Sequence, residues 1–130
     1  MGNYVASEVI KLMIQKDIKV KEADVLVLGI TFKENCPDVR NTKVVDVVAS
    51  LKEFKTNVTI YDPWANIIEV QKEYGLDAVT IVPDKKFDAI VLAVAHDEFQ
   101  SLNFDLLRKQ HTVIYDVKNV LPETLKDNGL

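Results

Sequence analysis

Glycine is scarce where a dinucleotide site would need it. There are four glycines in 130 residues. Gly29, the one that follows the first strongly apolar run, stands alone. No Gly-x-Gly-x-x-Gly turn therefore brings backbone against a pyrophosphate at that point. Nor is any glycine followed by Lys-Ser or Lys-Thr, which excludes a P-loop. Any nucleotide held here is held by side chains. One cysteine, Cys36, rules out an internal disulfide and suits a reducing compartment. Joined only by the separated His96 and His111, it offers no metal-ligand spacing, so no metal is expected. No apolar run approaches a bilayer span, so no membrane contact is expected. The start, Met1-Gly2-Asn3-Tyr4, lacks the charged and apolar regions of a signal peptide, which makes the cytoplasm the expected location. A net charge of −4 argues against nucleic acid as a general partner.

What is present is ordinary for a soluble globular protein: 48% hydrophobic and 28% charged residues, enough for one domain over 1–130 with a core of its own. Its organising stretch runs from Val25 to Thr42. Val25 to Leu28 is a continuous apolar run, the mark of a strand buried on both faces. Gly29 interrupts it, a polar loop follows, and Asn41-Thr42 offers helix-capping side chains. Val44, Val45, Val47, Val48 and Leu51 then recur at helical spacing. In a parallel sheet that loop lies at the carboxyl end of the strand, where such sheets bind ligands. With Lys33, Arg40 and Lys43 beside a helix N-terminus, it can hold a phosphate.

The rest of the chain repeats the alternation. A leading helix over 3–16 is capped by Asn3 and carries Val5, Val9 and Met13 on one stripe. Val58 to Tyr61 reads as a second strand, and a helix from about Ala65 to Tyr74 stops at Gly75. Ala78 to Val82 and Phe87 to Val94 are the third and fourth strands. Asp97 to Lys109 should be mostly helical, with Phe99, Leu102, Leu106 and Leu107 inward. Thr112 to Tyr115 is the last strand, before a weakly patterned tail. Alternating strands and helices imply right-handed crossovers and an α/β, Rossmann-like three-layer sandwich. The expected parallel sheet has about five strands in the order 3-2-1-4-5. In that order the loops after the first, fourth and fifth strands converge on one crevice.

Each candidate in those loops has two readings. Lys33 is a ligand contact or a solvated loop lysine. Arg40 faces an anion, or pairs with Asp38 or Asp46. His96 bonds a ligand or caps the next helix, and His111 reads as a surface residue. Asp62 occupies the position of a ribose-binding acid, but Pro63 behind it favours a turn-and-cap role. Cys36 has no histidine near it in sequence to activate it, so no catalytic role is expected. Met13 and Trp64 read as packing residues.

The block Gly29-Ile-Thr-Phe-Lys-Glu-Asn-Cys-Pro-Asp-Val-Arg-Asn-Thr42 resembles the C-terminal, UDP-binding domain of the UDP-glucose/GDP-mannose dehydrogenase family. Tyr61-Asp-Pro-Trp64, Ala93-Val-Ala-His-Asp-Glu-Phe99 and Tyr115-Asp-Val-Lys-Asn-Val120 carry the same resemblance, which runs from about Asn3 to Leu121. The variant Glu34 to Asn41 most resembles the branch that oxidises UDP-N-acetylhexosamines to uronic acids for surface polysaccharides. The resemblance implies an enzyme in which NAD takes two hydrides from the sugar C6 alcohol, by way of an aldehyde. It implies an N-terminal domain that binds NAD, a central helical domain that builds a homodimer or higher assembly, and a catalytic cysteine ahead of the stretch seen here. The 130 residues then read as an excised domain, with Met1-Gly2 an added start, and no catalytic residue or turnover is expected of it. The resemblance gives Phe32 and Lys33 to the UDP-sugar, Lys118 to it with less bidentate geometry than arginine, and Arg40 to NAD. It transfers no role to His96 or Cys36. A rival reading is a non-catalytic nucleotide-binding regulatory module, Rossmann-like or flavodoxin-like. A phosphoreceiver is one such module and would use a lysine at the place of Lys118. It would need the order 2-1-3-4-5 and carboxylates that Leu28-Gly29-Ile30 lacks.

Overall fold

A computed structural model describes residues 2–129 of the chain. Its centre is β1 (Asp24–Leu28), in which Val25, Leu26, Val27 and Leu28 are all inaccessible to solvent. Alternate side chains of a strand point to opposite faces, so a run apolar at every position fits only a strand covered on both sides. Val25 and Val27 enter one core, with Ala89, Val91, Val113 and Tyr115 from neighbouring strands. Leu26 and Leu28 enter the other, with Ile90, Leu92 and Ile114. Each such side chain contributes roughly 1.5–3 kcal/mol by leaving water.

The sheet has six strands, all parallel, in the order β3-β2-β1-β4-β5-β6. The remaining five are β2 (Asn57–Tyr61), β3 (Ala78–Val79), β4 (Phe87–Leu92), β5 (Arg108–Asp116) and β6 (Asn128–Gly129). The expected 3-2-1-4-5 is present and extended by one strand, and the flavodoxin-like order is excluded. Three helices, α1 (Gly2–Gln15), α2 (Val44–Glu53) and α3 (Ile67–Tyr74), cover the first core. Gly75, left-handed at φ 66°, ends α3 as expected. Asn3 lies inside α1 and does not cap it; its Oδ1 accepts a hydrogen bond from Ser50 Oγ of α2.

The second face departs most from the sequence expectation. Asp97 to Lys109 forms not one helix but α4 (Asp97–Gln100) and a 3-10 turn (Phe104–Leu106). Asn103 is the cause: its Oδ1 accepts from Asp105 N at 3.1 Å and starts a new turn where a helix would have continued. Phe99 and Leu107 are buried as expected, whereas Leu106 is 68% exposed. β6 comes from the weakly patterned tail. Asp127 anchors it, donating from its N–H to Ile114 O (2.8 Å) and accepting at Oδ2 from Ile114 N (2.7 Å). No helix among the described residues is long and apolar enough to cross a membrane.

Candidate functional site

The order of the sheet reverses between β1 and β4, and the crevice above such a reversal is where open parallel sheets bind ligands. Three loops meet there. The longest follows β1, and its base is closed by Phe32 N donating to Asp38 O (2.7 Å) and Thr42 Oγ1 donating to Thr31 O (3.4 Å). Val39, fully buried, anchors its middle, and its carbonyl accepts from Tyr74 Oη at 2.5 Å. Thr42 Oγ1 also accepts from Val44 N (3.2 Å), so the helix-start role expected of Asn41-Thr42 falls to Thr42.

From below, the loop rests on Asp62. This fully buried carboxylate accepts five hydrogen bonds. Oδ2 takes Ile30 N (2.7 Å), Thr31 N (3.2 Å) and His96 Nε2 (3.0 Å), while Oδ1 takes Trp64 N (2.8 Å) and Ala65 N (3.0 Å). Burial pushes this carboxyl up, but the hydrogen bonds from His96 and from Ile30 and Trp64 outweigh it, leaving the group below the ordinary carboxylate value. The turn-and-cap reading of Asp62 is what the structure has, and the same side chain also ties the ends of β1, β2 and β4 together.

The loop after β5 is wound around a second buried carboxylate. Asp116 Oδ1 accepts from Lys118 N (3.0 Å) and Asn119 N (2.8 Å), and Oδ2 accepts from Val120 N and Leu121 N, both at 2.7 Å. That winding turns Lys118 toward the β1 loop.

Between the two loops lies a cleft of about 210 Å³. Val5 of α1, Val44 and Val47 of α2, and Ala93, Val94 and Val117 at the strand ends give it an apolar lining. Phe32, Lys33, Lys43 and Lys118 also line it. Phe32 is 58% exposed, an aromatic ring open to a partner. Three ammonium groups and the N-terminus of α2 around an apolar bed suit a ligand with an anionic part and a flat apolar part. Two more open hollows, of about 530 and 820 Å³, lie at the opposite, amino edge of the sheet and share Asp17, Lys109 and His111. Their size does not outweigh their position, because the segment before β1, the start of β5 and the residues just before β6 line them, away from the crevice at the reversal of the sheet.

Of the residues singled out in the sequence, Phe32, Lys33 and Lys118 are brought together in the cleft. Arg40 is not part of its lining. Its exposed guanidinium forks onto Asp38, with Nε–Oδ1 3.0 Å and Nη2–Oδ2 3.1 Å, and holds that carboxyl below its usual range. His96 does not border the cleft either; it is fully buried beneath the β1 loop, stacked on Trp64 and edge-on to Phe99. It caps nothing with its side chain, and Asn35 Oδ1 instead accepts from Asp97 N (3.0 Å) at the start of α4. Lys43, named with Lys33 among the loop cations able to hold a phosphate, also lines the cleft, whereas sequence reasoning missed Val5. The only signal for Val5 was the apolar stripe of α1, which says that a face is buried without saying against what.

The sequence comparisons agree with this geometry. Residues 26–123 match the UDP-glucose/GDP-mannose dehydrogenase family, UDP binding domain. A UDP-N-acetyl-D-glucosamine 6-dehydrogenase from Salmonella typhi is 46% identical over 130 residues, which is 98% of this chain and 31% of that protein. A second of the same name, from Pseudomonas aeruginosa, is 44% identical, again over 98% of this chain and 31% of its own length. Among solved structures, a UDP-D-ManNAc dehydrogenase from Pyrococcus horikoshii superposes with a TM-score of 0.73 at 25% identity, covering 98% of this chain and 30% of that one. This chain thus spans about a third of the length of the relatives it matches. By the extent of that match, the chain belongs to the UDP-glucose/GDP-mannose dehydrogenase family and corresponds to its UDP-binding domain.

Proposed function

We propose that this domain holds the nucleotide end of a UDP-sugar within an NAD-dependent UDP-sugar 6-dehydrogenase. The sugar is a UDP-hexose or, on the strength of the relatives' names, a UDP-N-acetylhexosamine, and the product is a uronic acid for surface polysaccharide. The observation that carries the reading is the meeting of Lys33 and Lys118 with Phe32 in one cleft at the reversal of the sheet. Two ammonium groups from loops far apart in sequence offset the diphosphate charge, and the ring of Phe32 packs on the ligand. The domain's part in the mechanism is orientation: it fixes the nucleotide so that the sugar C6 is presented to chemistry elsewhere in the protein.

NAD would accept the hydrides, and this chain fits it poorly. Gly29 is packed on Val94, so the β1 turn leaves no room for a pyrophosphate to approach backbone. The cofactor would be held mainly by the rest of the protein, and Arg40, exposed at the loop tip, is the residue of this chain that would reach it. A reduced Cys36 fits a cytoplasmic setting. The full protein is proposed to work as a homodimer or a higher assembly. The direct test is a calorimetric titration of the 130-residue chain with UDP and, in parallel, with uridine. UDP should bind and uridine should bind at least about tenfold more weakly, because the lysines act on the phosphates. Equal affinity for both, or no binding of UDP, would refute the assignment.

A further inference from the structure

We propose that His96 is a positioning residue for Lys33, acting through the backbone of the β1 loop and not through the ligand. The proposal rests on the reading of the cleft as a UDP site. Lys33 enters none of the ion pairs among the described residues. What the fold fixes is therefore the main chain from which its flexible stem starts, and that main chain is tied to one buried imidazole on both sides.

On one side, His96 Nδ1 accepts a hydrogen bond from Asn35 N at 2.8 Å. Asn35 has φ 54°, a left-handed turn that asparagine adopts readily, and the bond to His96 fixes where that turn sits. Its Oδ1 returns the contact by accepting from Asp97 N (3.0 Å), so the loop and the turn after β4 hold each other in both directions. On the other side, His96 Nε2 lies 3.0 Å from Asp62 Oδ2 and 3.1 Å from Thr31 Oγ1. The hydroxyl of Thr31 already donates its one proton to Lys33 O (3.0 Å), so toward the ring it only accepts. The tautomer follows: Nδ1 is the acceptor, and the proton on Nε2 is shared between Asp62 and Thr31. The carbonyl of Lys33, through Thr31, and the peptide of Asn35 are thereby set by the same ring. The loop main chain that carries the cation is thus in place before the ligand arrives, and only the lysine stem remains to be ordered on binding.

Two replacements separate the two ring nitrogens. In His96→Asn the amide oxygen falls about where Nδ1 lies and can still accept from Asn35 N; the ring's donor to Asp62 and Thr31 is lost, but the Thr31 hydroxyl keeps its own bond to Lys33 O. In His96→Gln the amide nitrogen falls about where Nε2 lies and can still donate to Asp62, while the acceptor for Asn35 is lost. Both lose the ring's packing on Trp64 and Phe99 and one of its buried hydrogen bonds, so both melting temperatures should fall. The experiment measures UDP affinity by calorimetry and the exchange of the Asn35 amide proton by NMR, on the unaltered chain and on both variants. His96→Asn should keep the Asn35 amide protected and bind UDP within about threefold of the unaltered chain. His96→Gln should lose the protection and bind about tenfold more weakly. Equal UDP affinity in the two variants, or an affinity that merely follows melting temperature, overturns the positioning role. Should the unaltered chain bind no UDP, the UDP reading fails by itself and the amide decides the rest. Protection kept in Asn and lost in Gln then supports the clamp, and equal protection in both overturns it.

Discussion

A Cβ added to Gly29 would stand 2.5 Å from the Cβ of Val94, and Gly29 holds φ at +99°. The two residues lie where β1 and β4 end side by side, with Ala93 N and Val94 N both donating to Leu28 O. This is a close approach of two chain segments, not of backbone to a phosphate, and it explains a single glycine where a dinucleotide site has three. Gly29→Ala combines a strained backbone with an overlap that Val94 cannot relieve by rotating. The expected loss of stability is about 2–4 kcal/mol. Thermal unfolding should show a melting point lowered by roughly 10 °C. A variant that melts with the parent chain removes the argument.

Asp62 predicts the behaviour in acid. Its folded-state pKa lies below the unfolded value of about 3.9, so its contribution is complete above that pH and is lost as pH falls through the folded value. Asp62→Asn puts an amide N–H₂ against backbone donors that the carboxylate satisfied, and should lose roughly 2–4 kcal/mol at pH 7. Between pH 4 and pH 3 the parent chain should lose stability more steeply than the variant. Urea midpoints at pH 7, 4 and 3 give both slopes, and parallel curves would show that Asp62 contributes no such linkage.

The sheet was legible because β1 and β4 declare themselves: runs such as Val25-Leu-Val-Leu28 fit only a doubly covered parallel strand, and one reversal point follows from right-handed crossovers. β6 was not, because two residues held by backbone bonds and by Asp127 leave no apolar pattern to read. The helix expected over 97–109 failed on a single competing cap, Asn103. In the site, the positions of Lys33 and Lys118 could be inferred from strand ends alone. The role of His96 could not. A histidine after a strand faces a ligand or the core, and the choice was made by Asp62 and Asn35, which lie 34 and 61 residues away.

Arg40 offers a test of the proposed division between the two ligands. Its fork onto Asp38 is solvent-exposed, so Arg40→Ala should leave the melting temperature unchanged and UDP affinity of the chain within about twofold. In the full-length protein the same change should raise the NAD requirement more than that for the sugar nucleotide. A loss of UDP affinity in the isolated chain would move Arg40 from the cofactor to the substrate.

Mixed with NAD and a UDP-N-acetylhexosamine, the chain should generate no absorbance from NADH. No cysteine lines its cleft, and Cys36, half-buried in the β1 loop, lies outside that lining. A turnover that persists in Cys36→Ser would point to a contaminating enzyme. One abolished by that change would make Cys36 catalytic, against everything its surroundings suggest.

Lys33 is expected to be the principal electrostatic contact with the nucleotide. It lines the cleft just past β1, beside Phe32 and the start of α2, whereas Lys118 approaches from the other side on a loop fixed by Asp116. A charged hydrogen bond is worth roughly 1.5–3 kcal/mol, so Lys33→Ala should weaken UDP by about ten- to a hundredfold. Lys118→Ala should act in the same direction, and Phe32→Ala should weaken UDP and uridine alike because packing does not depend on phosphate. All three side chains are exposed, so none of the changes should alter the melting temperature appreciably. Salt adds an independent check. Raising ionic strength should weaken UDP for the parent chain, and less so for Lys33→Ala, which has one fewer charge to screen. Undiminished UDP affinity in a well-folded Lys33→Ala chain would leave the cleft without its main cation and end the assignment.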